Sequence, residues 1–243
     1  MKLRFIYRAL KARFRDEKLE IRATLQAIEE GNLVLDIGAN KGAYLYWLRK
    51  AVGPTGIVYA FEPQPSLHVY LKEIVQKMSW SNVFIKPVAV SDKSGNMILH
   101  IPAKQGSPSP GARLASKFET TTNAYQVECR VETLDNYSFD RPLSFIKCDV
   151  EGHELQVFRG GKNLLFKDGP TLLFECESRH LHGHSMYDVF NFLENLGYQG
   201  FFFGGDKILP LPDFDPNIHQ QRTGVRYWDK RSYYNNFLFQ RRT

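Results

Sequence analysis

Val34-Leu35-Asp36-Ile37-Gly38-Ala39-Asn40-Lys41-Gly42 is the run of this chain whose residue types and spacing most plainly serve chemistry. An apolar strand ending in an acid, followed by two glycines four positions apart, describes a tight turn from a strand into a helix N-terminus. Glycine lets a ligand approach the backbone closely, and the unpaired N–H groups of a first helical turn suit an anionic group. The spacing is not the dinucleotide G-x-G-x-x-G fingerprint, which argues against a nicotinamide oxidoreductase. Glu62 stands 26 residues after Asp36, at the end of the next apolar run. In doubly wound sheets an acid at that place accepts hydrogen bonds from ribose hydroxyls. Loop and acid together point to a nucleoside cofactor.

A second group of reactive side chains follows later in the chain: Asp149, Glu151, His153, Glu175, Glu177, His180, His182 and His184. Asp149 ends an apolar strand, where such sheets bind ligands, and reads as functional. Glu151 either satisfies amides at a helix N-terminus or touches substrate. His153 is either a surface residue in a first helical turn or a general base suited to neutral pH. Alternate histidines in Arg179–His184 could join Glu175 and Glu177 around a transition metal, but no second ligand motif supports this. Mg²⁺ held by Asp149 and Glu175 is a further option that the pattern does not favour, so no metal is expected.

The elements that must position these groups follow from periodicity. Strands are predicted at 33–37, 57–61, 83–90, 97–101, 145–148 and 172–174, with helices at 44–52, from about 66 to 78, and from 153 to the Gly160-Gly161 pair. Ser66 is expected to cap the second of these helices. Ser185 with Asp188 reads as a capping box, opening a helix that Gly197 closes. A hairpin about Gly204-Gly205 and a last strand at 236–239 complete the pattern. Alternation of strands and helices predicts an α/β, Rossmann-like, doubly wound and mostly parallel sheet with an antiparallel hairpin at one edge. Residues 103–124 read as an irregular insertion, a lid by their length.

Composition excludes several classes. With 43% hydrophobic and 24% charged residues, the chain is an ordinary globular one, and no apolar stretch is long enough to span a membrane. Three cysteines without a CxxC pair read as buried thiols in a reducing, cytoplasmic compartment. Residues 1–15 carry six cations and no acid, equal to the whole formal net charge of +6. The remainder is neutral and lacks the field of a nucleic-acid binder. Residues 1–30 read as a basic amphipathic helix in which Phe5, Ile6, Leu10 and Phe14 alternate with cations. Packing on the body, peripheral contact with an anionic membrane, or a transit role are all open to such a segment.

The runs VLDIGANKG (34–42), YAFEPQP (59–65), VAVSD (88–92), FIKCDVEGHELQVFRGG (145–161) and LLFECE (172–177) occur in the order seen in FkbM-type S-adenosylmethionine-dependent methyltransferases, which the chain resembles. That resemblance implies a seven-stranded class I methyltransferase fold over residues 31–243. It also implies S-adenosylmethionine as cofactor and O-methylation of a hydroxyl on a sugar, glycan or secondary metabolite. By it, Asp36, Gly38, Ala39, Asn40 and Gly42 form the cofactor loop, Glu62 holds the ribose, and Val90 and Ser91 edge the adenine. Asp149 lies under the methyl-bearing sulfonium, with Glu151 and His153 as further catalytic candidates. No nucleic acid is expected: an amino methyltransferase acting on bases would want a proline-aromatic clamp where Asp149-Val150-Glu151-Gly152 stands. The competing reading is a non-catalytic, cofactor-binding or membrane-docked interaction domain on the same fold.

Overall fold

β1 (Leu33–Ile37) is buried at all five positions, as a central strand covered on both faces must be. In this computed structural model, which describes residues 1–102, 112–115, 124–227, 230 and 232–242, β1 lies inside a parallel set. β2 (Ile57–Phe61) and β3 (Val83–Lys86) follow on one side. β8 (Leu143–Cys148) and β9 (Thr171–Glu175) follow on the other. β12 (Asn236–Arg241) then runs antiparallel between β9 and β10 (Tyr198–Gly204), and β11 (Lys207–Pro210) pairs with β10 at the edge. The sheet therefore has eight strands rather than the expected seven. The extra one is the second arm of the terminal hairpin, which turns at Gly205 and Asp206.

Helices cover both faces, and strand parity decides which residues each side receives. Leu33, Leu35 and Ile37 join the core under α5 (Glu154–Gly160), α6 (Lys162–Asp168) and α7 (Met186–Asn195). Val34 faces the opposite core, which holds α3 (Ala43–Val52) and the N-terminal helices. The expected capping box of α7 forms, with Asp188 N donating to Ser185 and Ser185 N to Asp188. Ser66 is not a cap. α4 (Pro65–Lys77) begins one residue earlier, with Pro65 in the first turn after Gln64, where a missing N–H costs nothing.

The N-terminal segment is three pieces rather than one helix: α1 (Lys2–Lys11), a π-helical turn (Ala12–Asp16) and α2 (Lys18–Ala27). The break falls at Glu17, whose φ of −134° leaves the helical region. Phe5 and Ala9 of α1 are fully buried, and Trp47 Nε1 donates to the Ala9 carbonyl at 2.8 Å.

The expected strand 83–90 is also divided. β3 ends at Lys86, and β4 (Ala89–Val90) enters a second sheet with β5 (Gly95–Pro102), β6 (Arg113–Ala115) and β7 (Ala124–Glu132). Pro87, which has no backbone N–H, separates the two halves. β7 lies outside the expected strands, although its Tyr125, Val127, Cys129 and Val131 alternate with Gln126, Glu128, Arg130 and Glu132 in the period-two pattern of a half-buried strand. Most of the expected lid, residues 103–124, lies outside the described residues.

Candidate active site

Order reverses between β1 and β8, and crevices at the carboxyl ends of strands on either side of such a reversal bind ligands. The glycine loop lies there. Gly38 N and Ala39 N both donate to the Phe61 carbonyl at 3.0 and 3.1 Å, tying the loop to the end of β2. Gly38 has φ +80°, and a Cβ on it would fall 1.9 Å from the Asp149 carbonyl oxygen. Only glycine fits between these two strand ends. Asn40 turns with φ +47°, a conformation asparagine tolerates. Its N–H donates to Glu62 Oε2 at 2.7 Å, while Gln64 N donates to Oε1 at 2.9 Å. Glu62 is thus fixed by two backbone amides, with lone pairs left for a ligand. Burial pushes its carboxyl up to about 7, against the pull of those amides. Gly42 lines neither cavity described below. Its φ of +75° and lack of a Cβ let Phe5 and Leu71 close over the start of α3.

Parity places Asp36 on the face opposite Ile37, and sheet register sets it beside Lys147 of β8. Lys147, a lone cation in an apolar strand, is buried and lies 5.0 Å from the Tyr44 ring centroid. Asp36 is 2% exposed, and its Oδ2 has no hydrogen-bond partner among the described residues. Burial lifts the Asp36 carboxyl to about 7, with Lys147 pulling down and Asp149 and Glu62 pushing up. The folded protein therefore accommodates a neutral Asp36 more easily than an ionised one. Relative to an unfolded carboxyl, this stabilisation is complete at low pH and is lost as pH rises to about 7. Asp36→Asn is expected to raise ligand-free stability at pH 8 by about 1–3 kcal/mol and to weaken binding of a cationic ligand at least tenfold. Urea denaturation across pH and calorimetry check both, and an unchanged stability at pH 8 would discard the account of Asp36.

The turn after β8 is built around a residue the sequence reading passed over. Glu154 is buried, and its Oε1 accepts from Gly152 N at 3.1 Å and Val150 N at 3.4 Å. That clamp holds Glu151 at φ +54°, where Glu151 Oε2 meets His180 Nδ1 at 2.9 Å. His153 reaches the other way, 2.8 Å from the hydroxyl of buried Ser91. Burial drives the His153 pKa down to about 4, so its imidazole is neutral at physiological pH. Asp149 sits between these branches. Burial raises its carboxyl to about 6, opposed by Lys147 and reinforced by Glu151.

Glu177 is committed elsewhere. It accepts from Arg179, from Tyr233 Oη at 2.8 Å and from Asn235 Nδ2 at 3.1 Å. Burial raises its carboxyl, but Arg179, a hydrogen bond with Glu175 and the Tyr233 hydroxyl more than reverse that and hold it at about 2. The three histidines diverge: His180 faces Glu151, His182 faces Arg113, and His184 bonds to the His182 carbonyl. Among the described residues no group of His, Cys, Asp and Glu is arranged to hold a metal.

Two cavities meet at Gly38, Asn40 and Asp149. One, of about 620 Å³, has Phe61, Val88, Val90, Leu99 and Leu114 as apolar walls and Glu62 at its side. The second sheet supplies Leu99, from the expected strand at 97–101, and Leu114, from the segment read as irregular. The other cavity, of about 890 Å³, is charged, with Arg8, Lys11, Lys41 and Lys147 set among Asp16, Glu17, Asp36 and Asp149. A purine nucleoside suits the first, and a zwitterionic amino-acid group suits the second. The buried unpaired oxygen of Asp36 calls for a donor such as an ammonium. A molecule with both ends, joined by a cationic centre beside Asp149, matches this donor set, and S-adenosylmethionine is such a molecule.

Parallel strands reversing at β1 and β8, an antiparallel edge, and a glycine loop facing a carboxylate on the neighbouring strand define the class I methyltransferase fold. The family model described as the methyltransferase FkbM domain matches residues 36–199, more than half of the chain, and the chain belongs to that family. It is similar to hexuronic acid methyltransferase AglP of Haloferax volcanii, with 27% identity over 153 residues covering 62% of this chain and 59% of that protein. Among solved structures it resembles methyltransferase FkbM from Methylobacillus flagellatus KT, with a TM-score of 0.57, 15% identity, and 94% of this chain matched to 47% of that one. A Streptococcus mutans protein solved in complex with SAH gives a TM-score of 0.51 at 10% identity over 92% of this chain and 96% of its own. At these identities the structures show the fold alone. The chain spans only about half to three fifths of the length of the first two relatives.

Proposed function

We propose that this chain transfers a methyl group from S-adenosylmethionine to a hydroxyl oxygen of a sugar, with uronic-acid glycans as the first acceptor class to examine. The observation that carries this reading is the junction of an apolar, carboxylate-sided cavity with a charged one at Gly38, Asn40 and Asp149. When bound, the cofactor supplies an electrophilic methyl group, so the protein must align the acceptor and take its proton. Glu62 would hold the ribose hydroxyls, and Asp36 and Lys147 the amino-acid end. Asp149 would accept the acceptor proton: a base with a pKa near 6 is largely ionised at neutral pH yet can still carry a proton. His153, held neutral against Ser91, would shape the acceptor side rather than take the proton.

The similarity to a hexuronic acid methyltransferase supports the sugar class, and the neutral body of the chain speaks against nucleic acid. The three free cysteines are buried, which fits our proposal of a reducing, cytoplasmic setting. Among the described residues no helix is long and apolar enough to cross a membrane.

Calorimetry with S-adenosylmethionine and SAH, followed by transfer of labelled methyl to glucuronosides and galacturonosides, tests the proposal. Glu62→Ala should weaken binding of both nucleosides at least tenfold, about 1.4 kcal/mol. Absence of binding to the wild-type chain would reject the cofactor assignment. Binding without transfer to any sugar would reject the acceptor class.

A further inference from the structure

α1 has two apolar faces, and only one is used by the fold. Phe5, Ala9 and Ala12 are buried against the body, with Phe5 edge-on to Tyr46 and Trp80. On the opposite side Leu3 is 84% exposed, Tyr7 63% and Leu10 39%, and Phe14, 64% exposed, follows them while also meeting Trp47 edge-on. Their spacing of i, i+4, i+7 and i+11 makes one continuous stripe running from α1 into the π-helical turn. A turn of roughly 100° per residue sets Arg4 and Lys11 along one flank of that stripe and Lys2 and Arg13 along the other. Asp16 pairs with Lys11 and Arg15 at 2.5 and 2.9 Å, yet the segment up to residue 15 contains no acid.

We propose that this outer face of residues 2–15 docks on an anionic membrane surface. Leu3, Tyr7, Leu10 and Phe14 would enter the headgroup–acyl boundary, and Lys2, Arg4 and Arg13 would lie at the level of the lipid phosphates. An apolar stripe flanked on both sides by cations is the pattern of helices that lie in a membrane interface. Long basic side chains can reach the phosphates while their stems follow the apolar boundary. A second copy of this chain is a poor occupant, because a two-fold contact would set the same cations against one another. Docking needs no unfolding, since the buried face already fixes the helix to the body.

The position of the helix gives the contact a consequence. Arg8, Lys11 and Ala12 line the charged cavity on its inner side. The docked helix would therefore hold that cavity about one helix diameter, ~10–12 Å, from the headgroups. Acceptors presented at a membrane surface would meet the site at short range. The docking itself stands independently of the methyl-transfer reading.

Flotation of the full chain with vesicles tests it. Vesicles of phosphatidylcholine with phosphatidylserine should carry the protein at low salt, and phosphatidylcholine alone should bind it at least tenfold more weakly. Raising the salt should release most of it. Leu3→Gln with Tyr7→Gln should reduce vesicle binding at least tenfold without moving the thermal midpoint or S-adenosylmethionine affinity. Failure of the wild type to float with anionic vesicles at low salt overturns the proposal. If such failure accompanies a dimer that the double variant dissolves, the face belongs to a second copy. If it accompanies a monomer, an acidic protein becomes the partner to seek. Binding that the double variant leaves unchanged also overturns it, because the apolar stripe would then take no part.

Discussion

Asp149→Asn should lower kcat by about 10²–10⁴-fold, the usual contribution of a positioned base, while SAH affinity changes by no more than a few-fold. Two features separate this loss from general damage. Asp149 N donates to the Ile37 carbonyl at 2.9 Å, and its own carbonyl packs over Gly38. Asparagine keeps this backbone arrangement and nearly the same volume. SAH carries no sulfonium charge, so it reports the shape of the site without the electrostatic contribution of the carboxylate.

The pH profile adds an independent check. A base must be deprotonated to act, and burial has raised Asp149 to about 6. Wild-type kcat should therefore climb between pH 5 and 7 with an inflection near 6, then level off. His153, pushed down to about 4 by burial, would place the inflection about two pH units lower. An inflection near 4, abolished by His153→Gln but kept in Asp149→Asn, would move the base to the histidine.

The loop and the ribose carboxylate were legible because their chemistry imposes local sequence rules. A strand ending beside a ligand needs glycine where backbones crowd, and Gly38 is crowded by the Asp149 carbonyl. The parallel core was legible through runs such as Leu33–Ile37, since a strand buried on both faces shows no polar alternation. What escaped depends on partners distant in the chain. Lys147 gains its place from register with Asp36, although a lone lysine in an apolar strand is itself a signal that could have been read. Glu154 looked like an ordinary acid in a first helical turn, and only the fold of residues 149–152 turns its carboxylate inward to their amides. The second sheet was only partly hidden. β4 follows β3 after two residues, but β7 alternates Tyr125, Val127, Cys129 and Val131 with Gln126, Glu128, Arg130 and Glu132, a period-two signal that could have been read. Glu175 and Glu177 look alike in sequence. Burial, followed by the charge of Asp149, pushes Glu175 well above the usual carboxylate range, whereas Arg179, Glu175 itself and Tyr233 pull Glu177 down and keep it ionised.

Gly38→Ala should remove nucleoside binding altogether and destabilise the protein by about 3 kcal/mol or more. The new Cβ would stand 1.9 Å from the Asp149 carbonyl oxygen and 2.9 Å from its carbonyl carbon. Both are backbone atoms, so no rotamer change relieves the clash. The ends of β1 and β8 would have to separate, endangering the bond from Asp149 N to the Ile37 carbonyl and the pair of bonds from Gly38 and Ala39 to Phe61. The positive φ adds its own cost for any residue with a Cβ. Gly42→Ala is the informative comparison, because it shares a positive φ of +75° but meets side-chain atoms, Phe5 Cε2 at 2.7 Å and Leu71 Cδ2 at 2.9 Å. Those groups can shift, so this variant should lose about 1–2 kcal/mol and retain measurable affinity. Urea denaturation and calorimetry on the two variants give the contrast directly. If Gly38→Ala kept wild-type stability and affinity, the crossing of β1 and β8 could not be the point where the two cavities are joined. If Gly42→Ala proved the more damaging, the seat of Phe5 on α3 would matter more to the site than the glycine turn itself.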